Sequence, residues 1–143
     1  MDESEPDPRL LVVWHSRTGA SEQMAQQAAD AASQEIAVDC KMAAQVAAED
    51  LIHATAYLFV CPENLGSMSG GMKEFFDVHY YPVLGRIEGR PYATIIAAGS
   101  DGAGAQKQLD RIVTGWRLKR VTVISQCREL GAALGAGASI GLF

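Results

Sequence analysis

Short, almost unbroken apolar runs alternate with helix-forming segments along most of this chain. The clearest runs are residues 10–14 (LLVVW), 54–60 (ATAYLFV) and 93–97 (ATIIA). Each run is too short for a buried helix and lacks the polar–apolar alternation of a half-exposed strand, which is typical of strands covered on both faces. Strands that alternate with helices favour right-handed crossovers and a parallel sheet with helices on both faces.

The same pattern predicts five strands and five helices. Strands are expected at residues 10–14, 38–42, 54–60, 93–97 and 121–124, with Pro62 ending the third strand. Helices are expected at residues 21–36 and 46–53, after a capping Ser69, at 104–116, and in the Ala- and Gly-rich stretch 130–143. This arrangement matches a flavodoxin-like doubly wound α/β fold, with a five-stranded parallel sheet in the order 2-1-3-4-5. In that topology a ligand binds at the carboxyl ends of the strands, so the candidate loops are those after Trp14, Val60 and Ala98.

The charge distribution indicates how the chain is divided into a tail and a domain, and which classes of partner are disfavoured. The chain has 143 residues, which favours one domain. Four of its 17 acidic residues lie in the first eight positions, whereas all 12 Lys and Arg residues occur from Arg9 onward. Residues 1–8 are therefore expected to form a disordered acidic tail, and residues 9–143 a single domain. This nearly neutral domain argues against a nucleic-acid binder, which needs a basic surface.

Cysteine usage and hydropathy predict a cytoplasmic protein. The three cysteines are widely spaced and form no CxxC motif, so neither a disulfide framework nor a metal site is indicated. The acidic N-terminus does not resemble a signal peptide, and the uncharged stretch near the C-terminus is too short to span a membrane. We therefore expect a reducing, cytoplasmic setting without a membrane or nucleic-acid partner.

The first candidate loop, residues 15–21 (HSRTGAS), has the features of a phosphate cradle. It leads into a helix whose N-terminal N–H groups carry a partial positive charge. Three hydroxyl side chains add donors, Gly19 lets the backbone approach closely, and Arg17 supplies a full charge. The loop matches neither a Walker A motif nor a dinucleotide-binding fingerprint. The alternative interpretation is a Ser-rich helix cap without a ligand.

The second and third loops are expected at the same end of the sheet. Residues 61–68 (CPENLGSM) are rich in backbone donors and contain glycine, which suits contact with the edge of a planar heterocycle. A nucleophile elbow is excluded, because Met68 occupies the central position between Gly66 and Gly70. Residues 99–105 (GSDGAGA) could belong to any strand-to-helix turn. They are a candidate binding loop because they are expected at the same end of the sheet as the other two loops.

Three segments carry a family resemblance: residues 16–21, residues 62–77 (PENLGSMSGGMKEFFD) and residues 98–119. Together they resemble the flavodoxin-like NAD(P)H-dependent FMN oxidoreductase family, and the similarity extends over residues 9–143. The resemblance implies FMN as the cofactor and NAD(P)H as the electron donor. It implies that the FMN phosphate is held by Ser16, Arg17, Thr18, Gly19, Ala20 and Ser21. It further implies that the flavin ring is bordered by Pro62, Glu63, Asn64, Leu65, Gly66, Ser67 and Met68, and on the other side by Gly99, Ser100, Asp101 and Gly102.

The leading functional hypothesis is an FMN-dependent oxidoreductase that passes electrons from a reduced nicotinamide through FMN to a small acceptor such as a quinone. The alternative is a flavodoxin-type electron carrier that serves a protein redox partner. A third class is an interaction domain that has lost cofactor binding. Broken phosphate-loop donors would favour it, whereas these donors are intact. Electron carriers of this type usually stack aromatic rings on the flavin, whereas residues 61–68 and 99–105 contain no aromatic residue. No catalytic acid or base is predicted, since the flavin carries the chemistry.

Several residues near these loops have more than one interpretation. His15 could orient the phosphate loop or be a solvated turn residue, and Asp101 could contact the flavin or only stabilise a turn. Cys61 could touch the flavin loop, although a free cysteine is usually a small buried residue. Tyr80 and Tyr81 could form a lid, complete the site of a second copy in a homo-oligomer, or act as a packed connector.

Overall fold

The computed structural model describes residues 7–99, 101–121 and 134–139. Its strands are β1 (Arg9–Trp14), β2 (Ala37–Met42), β3 (Ala56–Asn64), β4 (Ser67–Met68), β5 (Pro91–Ala97) and β6 (Lys119–Arg120). Its helices are α1 (Ala20–Ala32), α2 (Ala48–His53), α3 (Gly70–Val83) and α4 (Ala103–Gly115), with a 3-10 turn at Ala43–Gln45. Residues 134–139 are also helical. Within these ranges no helix is long and apolar enough to cross a membrane.

Five of the strands form a parallel sheet in the order β2-β1-β3-β5-β6. The short strand β4 pairs antiparallel with the end of β3, so the sheet has the predicted order 2-1-3-4-5 with one extra strand. The register places Trp14 beside Val60 and Val60 beside Ile95. Strands β1, β3 and β5 therefore end at the same edge, and the flavodoxin-like α/β fold is confirmed.

The two faces of the sheet carry separate hydrophobic layers. Successive residues of a strand point to opposite faces, and the buried run of β1 divides accordingly. Leu11 and Val13 pack in the layer that contains α2, α3 and α4, whereas Leu10 and Val12 pack in the layer that contains α1. Leu134 is buried in the α1 layer, so the predicted terminal helix is confirmed for residues 134–139. Helices cover both faces, as the sequence predicts.

An aromatic cluster fixes α3 against the sheet and against α4. The ring of Phe59 in β3 lies 5.4 Å from that of Phe76, measured between centroids. Trp116 is fully buried, stacks on Tyr80 at 6.0 Å and donates its indole N–H to the Tyr80 carbonyl oxygen over 2.9 Å. Tyr80 is therefore a packed connector, whereas the Tyr81 side chain is exposed. This cluster holds α3 in place, and the first turn of α3 borders the candidate loops.

The predicted end of the first helix is wrong. The helix stops at Ala32 instead of residue 36. The hydroxyl of Ser33 donates to the Asp30 carbonyl oxygen over 2.6 Å and closes the last turn. The chain then turns, and Ile36 enters the core from outside the helix.

The prediction that Pro62 ends the third strand is also wrong, because β3 continues to Asn64. Proline lacks an N–H group, which disfavours it only where the strand ladder needs that donor. Pro62 lies near the end of the β3–β5 pairing, opposite Ala97, and its carbonyl oxygen accepts the Ser69 N–H over 3.1 Å. Because β3 continues to Asn64, its end pairs with β4, and the second expected loop forms a paired structure instead.

Two further predictions fall partly outside the described residues. The sequence predicts the last strand at residues 121–124; the structure begins it earlier, at β6, while residues 122–124 lie outside the described ranges. The acidic tail lies outside them too, apart from Asp7 and Pro8, which are exposed.

Candidate functional site

The three predicted loops meet in one cleft of about 350 Å³ at the carboxyl ends of β1, β3 and β5. Its lining residues are Ser16, Arg17, Thr18, Ala20, Ser21, Pro62, Asn64, Ala97, Ala98 and Gly99. The cleft therefore lies where the order of the sheet reverses, which is the expected position of a ligand in this topology.

The first loop presents a helix N-terminus to the cleft. Helix α1 begins after Gly19, whose φ of +99° lies in the left-handed region that favours glycine. No side chain among the described residues caps this helix. The Ser16 hydroxyl oxygen accepts the Gly19 N–H over 2.9 Å, which holds the loop in its turn without using the helical N–H groups. Those groups remain for a ligand in the cleft.

Ser21 lies at the base of this loop with a buried hydroxyl. The residue is 1% exposed, and its Oγ is buried with no hydrogen-bond partner among the described residues. A buried polar atom without a partner costs roughly 1–3 kcal/mol, which a ligand oxygen would relieve. Together with the α1 N-terminus and the Arg17 charge, this hydroxyl fits a phosphate group. Glu22, in the first turn of α1, lines a neighbouring groove and is not among the residues that line this cleft.

The second loop is a β-hairpin (residues 63–68) formed by the end of β3 and by β4. Its two-residue turn consists of Leu65 and Gly66, with φ values of +53° and +80°. Two consecutive left-handed residues are the geometry of a type I′ turn, which fits the twist of paired strands. This conformation costs a leucine roughly 1–2 kcal/mol. The Leu65 side chain is nevertheless fully exposed, so contacts elsewhere in the hairpin stabilise the turn.

Helix α4 supplies these contacts. The Gln108 side-chain oxygen accepts the Met68 N–H over 2.9 Å. The Glu63 carboxylate accepts a main-chain N–H of the first turn of α4 over 3.1 Å. The Gly66 carbonyl oxygen lies so close to Gly104 that a Cβ there would be 2.0 Å away. Glu63 and Gly66, both predicted at the flavin ring, thus engage α4 in this structure, and Asn64 lines the cleft.

The third loop closes the cleft with its first residue. Gly99 lines the cleft, whereas Asp101 accepts the Ala103 N–H through its Oδ1 over 3.0 Å. Gly102 precedes α4 with a left-handed φ of +70°. This hydrogen bond supports the interpretation of Asp101 as a residue that stabilises the turn. Ser100 lies outside the described residues.

Comparison with known proteins agrees with this geometry. The model of the NADPH-dependent FMN reductase family matches residues 32–128. The chain belongs to this family. It is also 29% identical over 108 residues to a flavodoxin from Aquifex aeolicus (strain VF5). That alignment covers 74% of this chain and 58% of the relative, so the chain spans less than two thirds of the length of that flavodoxin.

Solved structures show the same fold at low sequence identity. A flavodoxin from the domain Archaea superposes with a TM-score of 0.78 at 15% identity, covering 94% of this chain and 98% of that one. A flavodoxin, WrbA-like protein from Agrobacterium tumefaciens superposes with a TM-score of 0.72 at 16% identity, covering 92% and 98%. The family membership confirms the resemblance seen in the sequence. FMN and a reduced nicotinamide nucleotide are the cofactor and the electron donor of this family.

In this member of the FMN reductase family, His15 connects the first loop to α3. Its Nδ1 lies 2.7 Å from the hydroxyl oxygen of the fully buried Ser69, and its ring lies against Gly71. Desolvation and the positive charge of Arg17 lower the pKa of His15, so the neutral ring is favoured. His15 therefore connects the first loop to the helix that follows the hairpin.

Cys61 precedes the hairpin and is fully buried. Burial raises the pKa of its thiol to about 11, so the thiol is protonated at neutral pH. The structure supports the interpretation of Cys61 as a small core residue.

A second cleft of about 600 Å³ adjoins the first and shares Arg17 and Asn64 with it. Its other lining residues are Leu65, Ser67, Met68, Gly70, Lys73 and Gln108. Three residues predicted at the flavin ring, namely Leu65, Ser67 and Met68, therefore line this second cleft instead of the first.

Sequence reasoning missed several residues of the two clefts. Ala97 and Ala98 complete the strand end, and their small size at the end of a predicted strand was the available signal. Gln108 lies within a predicted helix and contacts the hairpin only through the fold, so no local pattern marks it.

Substitution of Ser21 by Ala is expected to weaken FMN binding about tenfold and to leave the apo-protein equally stable or more stable. The hydroxyl has no partner in the described protein, so its removal relieves a desolvation cost, whereas a hydrogen bond to a charged phosphate contributes roughly 1.5–3 kcal/mol. Titration of apo-protein with FMN and urea unfolding measure the two effects.

Ser33→Ala, just after the last turn of the same helix, is the matched control, because this hydroxyl only closes the C-terminal turn. It should leave FMN affinity unchanged. Loss of apo-protein stability in Ser21→Ala without a change in FMN affinity would show that Ser21 has a structural role alone.

Proposed function

We propose that this chain binds FMN in the three-loop cleft and passes electrons from a reduced nicotinamide nucleotide to a small acceptor such as a quinone. When bound, FMN supplies the redox chemistry, since its ring accepts a hydride and releases electrons. The protein binds, orients and shields the cofactor. Membership of the NADPH-dependent FMN reductase family supports the choice of cofactor and donor.

The observation that carries the proposal is the buried hydroxyl of Ser21 beside the N-terminus of α1, which has no hydrogen-bond partner in the part of the chain that the structure describes. A helix N-terminus attracts anions, and Arg17 adds a full positive charge at the same cleft. In this proposal Ser16, Thr18 and Ser21 donate hydroxyl hydrogen bonds to the phosphate, with Gly19 and Ala20 forming the turn around it. A phosphate ester is therefore the group that this loop suits best.

The remaining residues of the cleft would border the ribityl chain and the ring. Asn64 offers a side-chain amide, Pro62 and Gly99 offer small surfaces, and the side chains of Ala97 and Ala98 are small and apolar. None of the described lining residues is aromatic. One face of a flavin in this cleft would thus lack a stacked side chain, which suits the approach of a flat nicotinamide or quinone.

The alternative function, an electron carrier for a protein partner, is favoured by one specific observation. A named flavodoxin is a sequence relative of this chain. The fully exposed Leu65 at the hairpin tip is also compatible with a protein partner. The two functions differ in whether a small donor and a small acceptor suffice.

The test is to load the purified protein with FMN and to follow NADPH oxidation with and without a small quinone. Steady oxidation that depends on the quinone, with rapid reoxidation of the reduced flavin in air, is the expected result. Apo-protein should bind FMN at least about tenfold more tightly than riboflavin, because each charged contact to the phosphate contributes roughly 1.5–3 kcal/mol.

Thr18→Ala should reduce this preference for FMN, whereas Thr114→Ala, on the exposed surface of α4, should not. Equal affinity for FMN and riboflavin would contradict the phosphate assignment. Reduction only by a reductase protein, with no NADPH oxidation, would establish the carrier instead.

A further inference from the structure

The second cleft carries positive charge from two separate elements. Arg17 comes from the first loop and Lys73 from the second turn of α3, and both line the same 600 Å³ space. The side chains of Asn64 and Gln108 line it as well. Among the described residues, none of those lining the cleft is acidic, and the first turn of α3 contains no acidic residue. An anion of ligand size is therefore the complementary occupant.

The nearby carboxylates leave this charge available. Glu63 faces the first turn of α4, where it accepts a main-chain N–H. Lys73 pairs with Asp77 over 2.5 Å, but both side chains are about half exposed, at 42% and 56%. An exposed pair of this i,i+4 type contributes little to stability, so the Lys73 ammonium can turn toward an anion in the cleft.

We propose that this cleft binds the diphosphate of the nicotinamide dinucleotide. The inference rests on the proposed function, in which FMN occupies the neighbouring cleft. The nicotinamide has to reach the flavin ring, and the diphosphate then lies beside it, outside the flavin cleft. The second cleft adjoins the first through Arg17 and Asn64. Lys73 supplies it with a cation of its own, in addition to the Arg17 charge that a diphosphate would share with the FMN phosphate. Lys73 is the residue of this cleft that the FMN site does not use.

ADP-ribose is the probe, because it carries the diphosphate but no nicotinamide and cannot reduce the flavin. Calorimetric titration of the FMN-loaded protein should show ADP-ribose binding that Lys73→Met weakens about five- to tenfold, with FMN affinity unchanged. The KM values for NADH and NADPH should rise by a similar factor in this variant, since both nucleotides contain the diphosphate.

Two variants serve as controls. Lys107→Met removes the same charge from an exposed position of α4 outside the cleft and should not change ADP-ribose affinity. Asp77→Asn removes the partner of Lys73 but keeps the cation, so affinity should stay the same or increase.

The inference is overturned if Lys73→Met and Lys107→Met weaken ADP-ribose equally, or if neither does. It is also overturned if adenosine binds as tightly as ADP-ribose, if ADP-ribose displaces FMN, or if only the KM for NADPH rises, which would assign Lys73 to the 2′-phosphate. Failure of the proposed function is a separate outcome, visible before ADP-ribose is added as absence of FMN binding or of NADPH oxidation by the unsubstituted protein.

Discussion

Replacement of Gly104 by Ala is expected to disrupt the hairpin and to weaken FMN binding by about tenfold to a hundredfold. A Cβ at this position would lie 2.0 Å from the Gly66 carbonyl oxygen and 3.0 Å from its carbon. Both are backbone atoms, so either α4 or the hairpin has to move. Overpacking of this kind costs roughly 1–3 kcal/mol. If the hairpin moves aside, the same strain opposes its return to the position that borders the ligand.

Urea unfolding of the apo-protein and titration with FMN together measure this strain. Gly70→Ala is the matched control, because nothing lies within 4 Å of its Cβ position at the start of α3. Ala is also the better helix former, so the control should be as stable as the parent or slightly more stable. Unchanged stability combined with unchanged FMN affinity in Gly104→Ala would show that the contact between α4 and the hairpin is not tight in solution.

The parallel sheet could be predicted because its signals are local. Each buried run, such as residues 10–14, contains its own evidence of being covered on both faces. The alternation of strands with helices then restricts the topology to few arrangements. The first loop was predictable for the same reason, since the Ser16–Gly19 hydrogen bond and the start of α1 involve neighbouring residues.

The hairpin could not be predicted, because its stability comes from distant residues. A turn of Leu65 and Gly66 lacks the Asn-Gly or Asp-Gly pattern of a tight hairpin, and a left-handed leucine is locally unfavourable. Gln108, 40 residues later in the chain, accepts the Met68 N–H, and Glu63 reaches the first turn of α4. Local propensity indicated a loop, and tertiary contacts override it.

The roles of Glu63 and Lys73 show the same limit at the level of the site. Both belong to the segment of strongest family resemblance, residues 62–77, and the resemblance implies contact with the flavin for Glu63 but assigns no role to Lys73. The fold directs the Glu63 carboxylate to α4 and brings Lys73 into one cleft with Arg17, 56 positions earlier in the chain. The packing of α3 and α4 decides which cleft each side chain lines. Residue spacing in the sequence does not encode this packing.

Replacement of Gly71 by Ala is expected to destabilise the apo-protein by about 1–2 kcal/mol, although Ala favours helix. Its Cβ would lie 2.3 Å from two atoms of the His15 ring, Cδ2 and Nε2. The ring can make room only by leaving the hydroxyl of Ser69, which lies 2.7 Å from Nδ1. Because Ser69 is fully buried, its hydroxyl would then lack a partner, at a cost of roughly 1–3 kcal/mol. The gain in helix propensity offsets up to about 1 kcal/mol of this.

The double variant His15→Ala/Gly71→Ala separates this steric contact from any other effect that the Gly71 substitution has on the helix. His15→Ala alone also leaves Ser69 without its partner, and it vacates the space that the new Cβ needs. The double variant should therefore be no less stable than His15→Ala, and the two substitutions should be non-additive by about 1–2 kcal/mol in urea unfolding. Strict additivity would contradict the contact. His15 follows β1 and Gly71 follows the hairpin. If His15 fixes the position of the first loop relative to α3, the same coupling should appear in FMN affinity.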